Sequence, residues 1–83
     1  MSIKVLYFAS LREEIGRGSD NIDIADGDYN NGSLQITQLW TKATGRESLP
    51  DELLVAINQE YTSADALVKD GDEVAFFPPV TGG

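Results

Sequence analysis

Asp70-Gly71-Asp72-Glu73-Val74-Ala75-Phe76-Phe77-Pro78-Pro79-Val80-Thr81-Gly82-Gly83 is the stretch that decides the fold. Asp-Gly-Asp is turn chemistry, because glycine accepts positive φ and aspartate bonds nearby backbone. Val74 to Phe77 is a short apolar, β-prone run that predicts a buried strand. Pro78 and Pro79 have no N–H to give a ladder, so the strand is expected to stop before them. They also hold the exit extended, near polyproline II. From Val80 to Gly83 a tail of this kind reaches roughly 13 Å, at about 3.3 Å per residue. Its two glycines carry no side chain and could thread a narrow slot, and their φ and ψ freedom lets a terminal carboxylate turn to suit a partner. A frayed terminus is the plainer alternative for a Gly-Gly ending taken alone.

A buried last strand needs neighbours. Ile3 to Ala9 supplies the best candidate, since every position after Lys4 is apolar, as in a strand central to a sheet. Ser10 is placed to cap a short helix from Leu11 to Ile15, with Glu13 and Glu14 in its first turn and Gly16 ending it. Ile22 and Ile24 alternate with Asn21 and Asp23, which predicts a half-exposed strand. Asp26 to Gly32 is a loop by composition. Ser33 is the expected N-cap of the main helix, without a capping box because Ile36 stands three residues on. Ile36, Leu39, Trp40 and Ala43 fall at i, i+3, i+4 and i+7, one apolar stripe, and Gly45 is placed to end the helix. The stripe must bury itself, which assigns Trp40 to the core rather than to a ligand platform. Leu53 to Ile57 is a third strand, Asn58-Gln59-Glu60 turns it into a segment around Tyr61, and Ala64 to Val68 is ambiguous.

The order is β, short helix, β, long helix, then two or three strands. One amphipathic stripe and one mixed sheet make an α+β two-layer domain. The first and last strands are the most apolar and are expected to be central neighbours. If they run parallel, their connection must cross the sheet, and the helix can make that crossing. The fold expected is the ubiquitin-like β-grasp, a mixed sheet packed on one main helix. Residues 1–79 are assigned to it and 80–83 to an extended tail.

With 83 residues the chain makes one small domain, which buries only about 60 to 65% of its unfolded surface. Cysteine and histidine are both absent. That removes disulfides, thiolate or imidazole metal sites, a cysteine nucleophile and a histidine base, so no metal is expected. Fourteen acidic residues against six basic ones give a net charge of −8. Phosphate backbones are repelled by such a surface, so no nucleic-acid partner is expected and a protein with a basic surface is favoured. No apolar run approaches the roughly 20 residues that span a bilayer. Met1-Ser2-Ile3-Lys4-Val5 enters a strand-like run without a signal peptide, so a cytoplasmic protein with no membrane partner is expected.

Three segments carry a resemblance. Gly71 to Gly83 resembles the end of the MoaD-type small subunits of molybdopterin synthase, Phe8-Ala9-Ser10-Leu11-Arg12 resembles that family's strand-to-helix junction, and Val55-Ala56-Ile57-Asn58 resembles its third strand. The resemblance implies a sulfur carrier with no cofactor of its own. An ATP-using, ubiquitin-activating-type enzyme would adenylate the carboxylate of Gly83, and sulfur would replace the adenylate to give a thiocarboxylate. The tail, Pro78, Pro79, Val80, Thr81 and Gly82, would then thread the large synthase subunit and deliver sulfur to a molybdenum cofactor precursor, twice per dithiolene. Phe8, Arg12, Phe77 and Tyr61 become candidate partner contacts. The competing placements are core for Phe8 and Phe77, since alternate strand residues face opposite sides, and a solvated helix face for Arg12. Other readings are a sulfur carrier of thiamine synthesis, a ubiquitin-like modifier joined to lysines, and an interaction module with an inert tail.

Overall fold

The computed structural model describes residues 1–29 and 31–79. The tail expected over Val80 to Gly83 lies outside the described residues.

Strand β7 (Glu73–Phe77) is the centre of a five-stranded sheet, ordered β2-β1-β7-β4-β5. It runs parallel to β1 (Ser2–Tyr7), pairing Val5 with Val74 and Tyr7 with Phe76, and antiparallel to β4 (Leu54–Ile57). The two most apolar strands are therefore central neighbours, as their composition predicts, and the structure makes them parallel, the case in which the connection must cross the sheet. The outer strands are β2 (Ser19–Asp23) on β1 and β5 (Glu60–Thr62) on β4, both antiparallel.

Helix α2 (Ile36–Thr44) covers one face of this sheet. All four residues of its stripe are buried, packed with Ile3, Val5, Tyr7, Val55, Val74 and Phe76. Trp40 meets the Phe76 ring edge-on at 5.0 Å between centroids. Its Nε1–H donates to the Ser48 carbonyl at 3.0 Å, so its one polar group is satisfied inside the core. Each such side chain withdrawn from water contributes about 1.5 to 3 kcal/mol, which is what holds the two layers together.

Several expectations change. Ser33 does not cap α2; it lies in a short strand β3 (Ser33–Gln35), and Gln35 occupies the cap. A capping box is present after all, with the Gln35 N–H donating to Gln38 Oε1 at 3.2 Å and the Gln35 side chain accepting in return. Glutamine can do this because the box needs an acceptor of sufficient reach rather than a hydroxyl. The ambiguous stretch forms β6 (Leu67–Lys69), which pairs with β3 in a second, two-stranded sheet. Each of these strands buries one residue, Leu34 and Val68, which is too little alternation to show in the sequence.

The first helix also begins earlier than expected. Helix α1 spans Ala9–Ile15, so Ser10 lies inside it, and no acidic residue falls in its first turn. Phe8 holds the N-cap position without a side-chain cap, and β1 ends at Tyr7 rather than Ala9. Gly16 (φ 87°) and Gly45 (φ 77°) end the two helices in the left-handed conformation their positions imply.

Candidate partner-docking face

The face of the sheet opposite α2 is where the strand ends converge. Side chains alternate along a strand, so Ile3, Val5 and Tyr7 point to the core while Lys4 and Leu6 point outward. On β7, Val74 and Phe76 point inward, and Glu73, Ala75 and Phe77 outward. Register then sets a row across four strands: Leu6 opposite Ala75, Ala75 opposite Ala56, and Ala56 opposite Tyr61. The next row brings Leu54 opposite Phe77.

Phe8 joins this face because the chain bends sharply after it. Phe8 is extended (φ −118°, ψ 153°) and Ala9 turns to φ 54° to start α1. The Phe8 N–H still donates to the Phe76 carbonyl at 3.2 Å, which holds it beside the end of β7. Its ring stacks on Phe77 at 4.7 Å with 9° between planes. Tyr61 approaches Phe77 from the other side at 5.8 Å, tilted by 52°. Phe8 is 41% exposed and Tyr61 73%, so neither is core.

Between these rings lies a hollow of about 280 Å³, lined by Leu6, Phe8, Ala56, Gln59, Tyr61, Glu73, Ala75 and Phe77. The two alanines form its floor, since a side chain of one carbon leaves depth that a larger residue would fill. They are only 5% and 8% exposed although they face outward, because the surrounding rings shield them. Tyr61 is held over the floor by a tight hairpin. Asn58 and Gln59 both take positive φ (51° and 72°), as the favoured two-residue hairpin turn requires. Asn58 fixes that turn: its Nδ2 donates to Asp72 Oδ1, its Oδ1 accepts the Glu73 N–H, both at 3.0 Å, and its own N–H donates to the Glu73 carbonyl at 2.7 Å.

Three of the four predicted contact residues thus come together: Phe8, Phe77 and Tyr61. Arg12 does not line the hollow. It is exposed on α1 with its guanidinium lying over Gly18, among Ala9, Glu13, Gly16 and Arg17. Sequence reasoning missed Leu6, Leu54, Ala56, Ala75, Gln59 and Glu73. The alternation of β1 and β7 could have marked Leu6, Glu73 and Ala75; the others needed the β4–β5 hairpin and its register. Pro78 is half-buried and Pro79 exposed, both past the end of β7, where their missing donors stop the strand.

Among the described residues no charged or polar side chain is buried, and no three acidic groups gather to hold a metal. A larger hollow of about 550 Å³ lies over α2, lined by Tyr29, Gln38, Thr41 and Lys42 among others, but it is open and polar and far from apolar docking chemistry. Among the described residues the one strongly shifted group is Tyr7, whose phenol is pushed up to about 12 by burial, reinforced by its 3.0 Å hydrogen bond to Asp20. It serves a structural clamp in which Arg17 pairs with Asp20 and also donates to the Ala43 carbonyl at the end of α2. Among the described residues, no helix is long and apolar enough to cross a membrane.

Comparison with known proteins agrees with this architecture. The ThiS family model matches residues 5–83. The molybdopterin synthase sulfur carrier subunit of Escherichia coli is 44% identical over 84 residues, covering 98% of this chain and 99% of its own. The crystal structure of SAMP1 from Haloferax volcanii superposes with a TM-score of 0.78 at 25% identity, covering 100% of both chains. The same fold, at a TM-score of 0.60 and 22% identity over 100% of each chain, occurs in the Helicobacter pylori complex of subunits 1 and 2 of molybdopterin-converting factor. With a family model and a relative of this identity both spanning nearly its whole length, the chain belongs to the ThiS family and, within it, to the sulfur carrier subunits of molybdopterin synthase.

Proposed function

We propose that this sulfur carrier subunit holds its cargo as a thiocarboxylate on Gly83, and that the apolar sheet face beside β7 docks it on the proteins that load and unload the sulfur. The observation that carries the reading is the course of β7. The strand lies at the centre of the sheet, contributes Glu73, Ala75 and Phe77 to the hollow, and leads directly into Pro78-Pro79 and the Gly-Gly end. A protein seated on the hollow would stand next to the root of the tail.

The chemistry follows from the carboxylate. As an anion it is a poor electrophile; adenylation by an ATP-using, ubiquitin-activating-type enzyme supplies a good leaving group. Sulfur then replaces the adenylate, and the thiocarboxylate offers a nucleophilic sulfur on a tether. Tethering raises effective concentration and orientation at the acceptor. The acceptor is the molybdenum cofactor precursor in the large synthase subunit, and two deliveries complete one dithiolene. A chain without cysteine or histidine can serve, because the partners supply the acid, base and phosphate-binding groups. The Helicobacter pylori complex supports a two-subunit assembly, and the full-length similarity to the Escherichia coli subunit favours this pathway over thiamine synthesis.

Intact mass spectrometry tests the reading. After incubation with the activating enzyme, ATP and a sulfur source, the mass rises by the difference between one sulfur and one oxygen, located at Gly83. An unchanged mass with an enzyme shown to be active rejects it. Adding one residue after Gly83 abolishes sulfur delivery while the domain stays folded; full activity of the extended chain would contradict the tail chemistry.

A further inference from the structure

We infer that the hollow over Ala56 and Ala75 receives one long basic side chain, an arginine or a lysine, from the protein that docks on this face, with the charged head held by Glu73. The inference rests on the docking reading above and deepens it.

The hollow is apolar along its length and acidic at one end. Leu6, Phe8, Tyr61 and Phe77 wall it, the two alanines floor it, and Gln59 and Glu73 close the end away from the tail. A flat aromatic patch would suit any apolar partner, but a trough with a carboxylate at one end fits an alkyl stem carrying a cation. The stem would lie on the alanines, and the head would reach Glu73 with the Tyr61 ring alongside, where a cation gains from the ring face.

Glu73 is poorly matched within its own chain. Its backbone is fixed by Asn58 on both sides, which pins the side chain's origin. Among the described residues its carboxylate has one ion pair, with Lys4 Nζ at 4.0 Å, and the Lys4 side chain is 56% exposed. A pair that long and wet is worth little. An incoming cation, drier under the partner, displaces Lys4 at small cost. The net charge of −8 brings a basic surface to this face but does not say where it seats; the trough does.

The test is calorimetric titration of the intact chain with the large synthase subunit of the same organism. Glu73→Gln keeps shape and removes charge. It is expected to weaken binding about ten- to hundredfold, by loss of a charge pair shielded in the complex, and to flatten the salt dependence. Lys4→Met frees Glu73 and is expected to leave affinity unchanged or raise it up to about fivefold. Thermal melts of both variants within a few degrees of the parent show that the fold is intact. In the complex, one partner arginine is protected from phenylglyoxal, or one partner lysine from acetylation, and the protection is lost with Glu73→Gln; the reagent identifies the head group.

Three outcomes overturn the inference. Glu73→Gln could bind within twofold of the parent while Phe77→Ser abolishes binding, which leaves the docking face standing and the cation wrong. Lys4→Met could weaken binding as much as Glu73→Gln, which makes the pair a structural strut. The parent could fail to bind at all, which removes the docking reading and this inference with it.

Discussion

Phe8 and Phe77 stack face to face at 4.7 Å, 9° from parallel, outside the core. Phe8 follows the last residue of β1 and Phe77 ends β7, so the stack joins the two parallel central strands at the edge where the tail departs. Two large rings held against each other on a surface lower the conformational cost of presenting them to a partner. The alanine floor beside them gives this face a hollow rather than a flat aromatic patch.

Filling the floor separates docking from folding. Ala75→Leu places three more carbons in the hollow, on the side of the sheet away from α2. The expected result is a loss of affinity for the large subunit of at least about tenfold, roughly 1.4 kcal/mol, with a melting temperature close to that of the parent. Unchanged affinity would show that the partner does not enter the hollow.

Trp40 carries the core. It is fully buried, meets Phe76 edge-on and satisfies its N–H at Ser48. Trp40→Ala is expected to cost about 3 to 5 kcal/mol, a large share of the roughly 5 to 15 kcal/mol available to a domain. Urea denaturation followed by circular dichroism reads this directly.

Tyr7 gives a pH signature. Burial, aided by the Asp20 hydrogen bond, raises its phenol to about 12 from an ordinary value of 10.0. The folded state therefore holds a proton that the unfolded state releases. The resulting stability is fully present below pH 10 and is lost as pH rises from about 10 to 12. Denaturation midpoints of the parent should fall more steeply across that window than those of Tyr7→Phe, which has no proton to lose. Parallel curves would show that the phenol titrates normally.

Asn58 tests the hairpin in two steps. Asn58→Gly keeps positive φ but removes the side-chain bonds to Asp72 and Glu73, and should cost about 1 kcal/mol. Asn58→Leu removes the same bonds and adds about 1 to 2 kcal/mol for an L-residue in the left-handed region. Equal melting temperatures for the two variants would mean that φ is not strained at this turn.

Sequence alone determined the two most apolar strands as central neighbours and the α2 stripe with its glycine stop. Each rests on periodicity, composition or a backbone requirement, and these act over neighbouring residues. The Gly-Gly end and the resemblance around it also pointed to the family. Tertiary structure alone decided that Phe8, Tyr61 and Phe77 share one face, that Arg12 lies apart from it, and that Glu73 closes a trough. Those facts depend on strand register, on the bend at Ala9 and on a hairpin whose turn, Asn58-Gln59, lacks the usual glycine. The short strands β3 and β6 were hidden for the same reason: with one buried residue each, their pairing is set by a partner distant in the chain rather than by any local pattern.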